Sequence, residues 1–171
     1  MAEGAFDQLM ASLDPPMVVV TTAVAGERAG CLVGFHAQSA IDPQRYCVWL
    51  SKANHTYRVA LRSTHLAVHF LTEDDLDVAE HFGTLTGEDV DKFEDLDLHS
   101  GPDGLPLLDR CPHRLTLRRT VLVDEGGDHV CLVAECLDAE TGGSFEPLRL
   151  SRVTHLSPGH ENDERADPPT G

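Results

Sequence analysis

A β-hairpin in the second half of the chain is the most definite structural prediction from the sequence. Residues 114–123 and 129–139 are rich in apolar and β-branched side chains, and the acidic segment 124–128, with two glycines, separates them. Two such segments joined by a short glycine-containing turn are typical of neighbouring antiparallel strands. The second half of the chain is therefore predicted to form antiparallel sheet.

Similar apolar segments predict strands elsewhere in the chain. These segments are residues 17–24, 29–39, 46–50, 65–71 and 148–156. Helical spacing and capping residues predict helices at 3–14, 55–63 and 72–83. About six or seven strands with two or three short helices predict a mainly β fold, an antiparallel β-barrel with helices packed on it. The long segment 84–112, rich in Gly, Pro and Asp, is predicted to be irregular.

The third predicted helix has a complete start signal. Thr72 is placed to cap it, and Asp75 stands three residues later, where a capping box has its second side chain. Gly83 is predicted to end the helix. The residues predicted to face the core are Leu76, Ala79 and Phe82.

The charge of the chain excludes several classes of partner. Thirteen Lys and Arg against 29 Asp and Glu give a formal net charge of −16. Such an acidic surface repels phosphate backbones and anionic membranes, so we expect no nucleic-acid partner and no membrane partner.

No apolar run is long enough to span a bilayer, and the first residues lack the pattern of a secretory signal. These features predict a cytoplasmic protein.

The cysteines and histidines give no pattern typical of a metal site. The chain has five cysteines, an odd number, and no CxxC spacing, so we expect buried free thiols and no disulfide framework. His65 and His69 lie on a predicted strand, where four residues span about 13 Å, too far for one ion. We therefore expect no metal.

Segment 34–39 is the first candidate site. It ends a predicted strand and mixes small with polar residues, which suits a flat ligand bound through backbone and side-chain groups. The alternative is a strand that simply runs into its turn. The residues concerned are Gly34, Phe35, His36, Ala37, Gln38 and Ser39.

Segment 51–56 is the second candidate site. It lies between a predicted strand and a predicted helix, and the free N–H groups at a helix start bind phosphate readily. The alternative is an ordinary helix cap by Asn54. The residues that would donate hydrogen bonds or charge are Ser51, Lys52, Asn54, His55 and Thr56.

His129, within Gly127-Asp128-His129, is the third candidate. A histidine at the entrance of a strand is partly exposed, titrates near neutral pH and can contact a substrate or carry a proton. The alternative is a turn histidine without a chemical role.

Eight short blocks follow one another in the order of a known family. The blocks are residues 19–22, 30–43, 49–56, 66–71, 79–83, 91–93, 105–109 and 127–130. Together they resemble the flavin reductase-like family with its FMN-binding split barrel. The resemblance implies an antiparallel split β-barrel of about six strands that pairs into a homodimer, with the flavin near the dimer interface. We assign residues 1–158 to this domain and predict that the polar residues 159–171 form a disordered tail.

The resemblance also implies an activity. It implies an NAD(P)H-dependent reductase of FMN or FAD, the reductase component of a two-component monooxygenase that passes reduced flavin to a separate oxygenase. By the same resemblance, segment 34–39 lines the isoalloxazine ring and segment 51–56 holds the ribityl phosphate. His129 would lie near the nicotinamide, and Lys92 and Phe93 would contribute phosphate or lid contacts.

Two departures from the family pattern leave the cofactor open. Residues 31–36 stand where many relatives have a strand end rich in Ser and Thr, and Asp42-Pro43-Gln44 replaces a common Asp-Pro-Pro. FMN, FAD and a deazaflavin therefore all remain candidates, as do NADH and NADPH, and the flavin can be tightly held or exchanged. A flavin carrier or sensor without turnover and a deazaflavin-dependent reductase are the alternative functions.

Overall fold

The computed structural model describes residues 4–87 and 90–156. Within them, three helices form: α1 (Ala5–Leu13), α2 (His55–Arg62) and α3 (Leu76–Thr84). The strands are β1 (Val18–Val24), β2 (Glu27–Val33), β3 (His36–Ala40), β4 (Arg45–Ser51), β5 (His65–Phe70), β6 (Leu98–Ser100), β7 (Pro106–Leu108), β8 (Arg114–Val123) and β9 (His129–Glu140).

Seven strands form one curled antiparallel sheet in the order β2-β1-β5-β8-β9-β4-β3, and β6 pairs with β7 in a separate small sheet. The mainly β, antiparallel prediction is confirmed, with one strand more than the split barrel implied. The predicted hairpin is β8 and β9, joined at Gly126 with φ 91°. The β1–β2 hairpin turns at Ala25 and Gly26, both with positive φ, which is the turn geometry that matches the strand twist.

The predicted strand 29–39 is wrong as a single element. The chain leaves β2 at Val33 and begins β3 at His36, with Gly34 and Phe35 between them. β2 pairs with β1 at one edge of the sheet, whereas β3 pairs with β4 at the other. The chain has to change partner between these strands, and an apolar run cannot reveal that change.

The predicted strand 148–156 is also wrong. Arg149 forms an isolated bridge with Pro16, and residues 150–152 form a single 3₁₀ turn. Leu148 bonds through its backbone to Met17 and Leu71, so this segment fills a short gap beside the start of β1. It supplies apolar side chains to the core without continuing as a strand.

The core lies on both faces of β1. Val18 and Val20 face the inside of the curled sheet, whereas Val19 packs with Phe82 and Phe93 outside it. Burial on both faces explains why β1 has no alternation of apolar and charged residues, and its two buried threonines satisfy their hydroxyls with hydrogen bonds.

Most of the features predicted for the third helix are confirmed in α3. The capping box of Thr72 and Asp75 is present at a 3₁₀ turn that leads into the helix. Ala79 and Phe82 are buried and Leu76 is partly buried, all in the outer core cluster. The helix continues past Gly83 to Thr84, so that predicted end is wrong. Gly83 has another role, because a Cβ there would lie 3.0 Å from Leu32 Cδ2.

Among its described residues, segment 84–112 is largely irregular, as predicted, apart from Thr84 at the end of α3, the strands β6 and β7 and a short 3₁₀ turn between them. None of the described helices is long and apolar enough to cross a membrane. The predicted tail, 159–171, lies outside the described residues.

Candidate active site

The start of β3, the end of β4 and the start of β9 bring residues of all three candidate segments together. The Trp49 N–H donates to the Phe35 carbonyl over 2.9 Å, and Ser51 lies opposite His129 in the β4–β9 register. The rings of Phe35 and His129 are 4.9 Å apart between centroids. Phe35 remains 58% exposed, beside a hollow of about 470 Å³ that both rings and Trp49 line. A flat ligand can therefore contact an aromatic ring and an imidazole at one place.

A neighbouring carboxylate orients His129. Its Nδ1 lies 2.8 Å from Asp128 Oδ1. This hydrogen bond is the main reason that the pKa of Asp128 is lowered, so the carboxylate stays ionised at neutral pH. The imidazole is thus held at the edge of the hollow by its own neighbour.

The start of α2 carries the second candidate segment. Asn54 Oδ1 accepts a hydrogen bond from the Thr56 N–H over 2.9 Å. Asn54 is therefore an ordinary helix cap, as the alternative interpretation of this segment predicted. One turn of the helix also places His55 and Arg58 on a hollow of about 990 Å³ that includes Arg28. Burial and the positive charge of Arg58 lower the pKa of His55, which favours the neutral imidazole.

Gly87 allows the long segment to approach this helix start. A Cβ at Gly87 would lie 2.8 Å from His55 Cδ2, which is shorter than the distances that real Cβ atoms keep from their neighbours. On the other side of Gly87 is a groove of about 210 Å³ with mostly apolar walls, including Met17, Cys31 and Leu32, and with Asn54 at its margin. The helix start is thus bordered by an apolar groove and by a polar hollow, in which Arg28 pairs with Asp91 over 2.8 Å and His55 Nε2 lies 3.4 Å from Glu27 Oε1.

Comparison with known proteins identifies the family of the chain. The model of the "Flavin reductase like domain" family matches residues 10–154. The chain belongs to this family. Relatives include the reductase component of a 4-nitrophenol 4-monooxygenase/4-nitrocatechol 2-monooxygenase from Rhodococcus opacus, with 30% identity over 80% of this chain and 70% of that protein. The NADH-dependent FMN reductase SmoA of Agrobacterium fabrum is 28% identical over 78% of this chain and 74% of that protein.

Solved structures confirm the fold of this flavin reductase-like chain. A Sinorhizobium meliloti protein superposes with a TM-score of 0.76 at 22% identity. The match covers 87% of this chain but only 51% of the other, so the present chain spans about half of that longer protein.

The groups present fit a flavin mononucleotide. A phosphate needs donors and positive charge, which the first turn of α2 supplies together with Arg58 and with Arg28, although Arg28 already pairs with Asp91 over 2.8 Å. The isoalloxazine ring needs largely apolar walls, which the adjoining groove offers. Gly34 lies beside this groove, because its nearest side-chain neighbour is Met17.

Lys92 and Phe93 do not have the roles that the resemblance implied for this flavin reductase-like chain. Lys92 is only 5% exposed, and its ammonium donates to the carbonyls of Gly30, over 2.8 Å, and Phe82, over 3.1 Å. Phe93 is buried against Phe82. Both side chains therefore fix the long segment to the barrel, and neither is free to bind a phosphate or close as a lid.

His36 and Gln38 also turn away from the candidate site. His36 Nδ1 lies 2.6 Å from the Tyr46 hydroxyl, and its Nε2 lies 2.7 Å from the Pro16 carbonyl, so both ring nitrogens already have partners. Burial lowers the pKa of His36, which keeps the ring neutral. Gln38 bonds locally to the Ala40 carbonyl. In the strand alternation of β3, these side chains point opposite to Phe35.

Ala37 and Ser39 are exposed along β3, away from the residues that meet at His129, and Ser39 lies at an irregularity in the β3–β4 pairing. Lys52 is brought to the site, yet its ammonium lies 3.0 Å from Asp124 Oδ1. Across residues 4–87 and 90–156, no three His, Cys, Asp or Glu side chains are grouped as metal ligands.

Sequence reasoning missed three residues of the site. Arg58 could have been found, because it follows His55 by three residues and shares its helix face. Trp49 was placed in a strand, but nothing local indicated that Phe35 would pair with it. Arg28 reaches the hollow through the β1–β2 hairpin, a contact distant in sequence.

Proposed function

We propose that this chain is an NAD(P)H:flavin oxidoreductase that reduces FMN or FAD and supplies reduced flavin to a separate oxygenase. The observation that carries the proposal is the meeting of Phe35 and His129 next to the start of α2, on a flavin reductase-like fold. The named activities of the Agrobacterium and Rhodococcus relatives support both the reaction and the oxygenase partner.

The role of the chain in this reaction is to bind the flavin and the nicotinamide and to orient them. When bound, nicotinamide and flavin supply the hydride chemistry themselves. The first turn of α2 would hold the flavin phosphate, and the groove beside Cys31 would take the ring. His129, oriented by Asp128, and Phe35 would hold the nicotinamide against the ring and exclude water from one side.

We also propose that the active form is a homodimer, with the flavin near the interface. The outer face of the sheet carries exposed apolar side chains where β8 pairs with β9. On it, Val121 pairs with Val133 and Val123 pairs with Cys131, and the two valines of β8 are 48% and 38% exposed. Phe35 lies on the same face. A second copy of the chain would cover this surface and would sit beside His129.

The test is NADH and NADPH oxidation by purified, flavin-stripped protein with added FMN or FAD, measured against each free flavin at the same concentration. Catalytic oxidation above the free-flavin rate is the expected result. Tight flavin binding without oxidation of either nicotinamide would instead indicate a carrier or sensor, and binding of a deazaflavin in preference to FMN would indicate the deazaflavin alternative. The cytoplasmic location stays a prediction.

A further inference from the structure

Lys52 holds the turn of the β8–β9 hairpin at two points. Its ammonium lies 3.0 Å from Asp124 Oδ1, just after β8 ends. Its backbone N–H donates to the Asp128 carbonyl over 2.9 Å, just before β9 begins. One residue at the end of β4 therefore contacts both sides of the turn.

The turn itself is ordered around the same carboxylate. Asp124 Oδ1 also accepts the Gly126 N–H over 2.8 Å. The Gly126 hydrogen bond and the Lys52 ammonium together lower the pKa of Asp124, so the carboxylate is ionised at neutral pH. A flavin phosphate on Lys52 would have to compete with this partner.

His129 is the next residue in sequence after Asp128, whose carbonyl accepts the hydrogen bond from Lys52. Asp128, whose carbonyl Lys52 binds, orients the imidazole through its own carboxylate over 2.8 Å. His129 also lies opposite Ser51, the residue before Lys52. A shift of the turn would therefore move the imidazole relative to Phe35.

We propose that Lys52 is a positioning residue, which holds the β8–β9 turn against the end of β4 and so fixes His129 at the nicotinamide position. This inference rests on the proposed reductase function. It replaces the expectation that Lys52 binds the flavin phosphate, a role left to the start of α2.

The test uses Lys52→Met, Asp124→Asn, their double variant and Lys52→Arg. Arg118→Met is the matched control, because it removes an ion pair between β8 and β9 of the same hairpin, Arg118 with Glu135 at 2.8 Å, away from the turn. Thermal melts establish that each variant is folded. The measurements are kcat and KM for NADH, and the affinities of the apo protein for FMN and riboflavin.

We expect Lys52→Met and Asp124→Asn each to raise KM for NADH about threefold to tenfold, with a smaller change in kcat. The double variant should be no worse than either single one, because both remove the same contact. Lys52→Arg should keep most of the wild-type behaviour, and affinities for FMN and riboflavin should stay unchanged. A selective loss of FMN affinity in Lys52→Met, with Asp124→Asn silent, would assign Lys52 to the phosphate and overturn the proposal.

The imidazole resonances of His129, measured by NMR in the apo protein, separate this proposal from the proposed function. Both single variants should shift them alike, and Arg118→Met should not. If the wild type oxidised no nicotinamide, the proposed function would fail while the resonances still tested the contact. Unchanged resonances in both variants would overturn the positioning role whatever the activity.

Discussion

The Leu108 N–H donates to Nε2 of His69 over 3.1 Å, inside the core. Nδ1 of the same ring lies 3.2 Å from the Val19 carbonyl, so it carries the proton and donates. One neutral imidazole thus joins β5, β1 and β7. Burial lowers the pKa of His69 to about 4, from an ordinary value of 6.5.

This pKa predicts loss of stability in mild acid. His69 takes up a proton near pH 6.5 in the unfolded chain but only near pH 4 in the folded protein. The free energy of unfolding therefore falls as the pH drops through that window. Relative to neutral pH, the loss should be roughly 2 kcal/mol by about pH 5. Urea titrations at both pH values measure it. A His69→Gln variant that folds should have a flatter pH dependence, whereas the same substitution at the exposed His155 should leave it unaltered.

Lys92→Met is expected to weaken folding rather than phosphate binding. The variant leaves the carbonyls of Gly30 and Phe82 without their buried donor, at a cost of roughly 1–3 kcal/mol. Affinities for FMN and riboflavin should change by the same factor in the folded variant. A loss confined to FMN would restore Lys92 as a phosphate ligand.

His129→Asn is expected to impair use of the nicotinamide. Removing the ring that faces Phe35 should raise KM for NADH about tenfold, with little effect on flavin affinity. Steady-state kinetics over a range of NADH concentrations give this value. His155→Gln serves as the control histidine, since it pairs with Glu80 elsewhere on the surface. Unchanged KM in His129→Asn would remove His129 from the site.

Gly87→Ala is expected to weaken flavin binding. The new Cβ would press on His55 at 2.8 Å, so the ring and the start of α2 have to move. Fluorescence titration of the apo protein should show FMN affinity reduced about fivefold or more. Gly142→Ala is the comparison, because its Cβ would meet His113 at an ordinary 3.5 Å. Equal affinities in both variants would place the phosphate elsewhere.

Val121→Asp is expected to separate the proposed homodimer. A carboxylate on the exposed apolar face of β8 would be buried unpaired in the interface, at a cost that a dimer of ordinary stability does not tolerate. Sedimentation equilibrium should show a dimer for the wild type and a monomer for the variant. Leu61→Asp, on the surface of α2, should remain dimeric. A monomeric wild type would contradict the proposal directly.

Local patterns were sufficient for the strands and helices that depend on neighbours in sequence. The β8–β9 hairpin, the Thr72–Asp75 capping box and the Asn54 cap are such cases, because turn and cap chemistry lies within a few residues. The end of α3 was missed by one residue, and the space at Gly83 is limited by Leu32, a contact that the sequence does not reveal.

The site was less predictable because distant contacts decide the direction of its side chains. Lys92 looked like a free cation in a loop, but two carbonyls from separate elements hold it in the core. His36 looked available at a strand end, but Tyr46 and Pro16 occupy both nitrogens. Lys52 was placed at the site, although its partner Asp124 could not be read from the sequence.

The link at Gly34 and Phe35 joins the two outermost strands of the sheet, β2 and β3. Because the connection is covalent and two residues long, the edges of the sheet cannot drift apart while the strands remain paired. The groove beside Cys31 belongs to one edge, and the ring of Phe35 begins the other. The distance between that groove and the Phe35 ring is therefore limited by the two residues that join the edges.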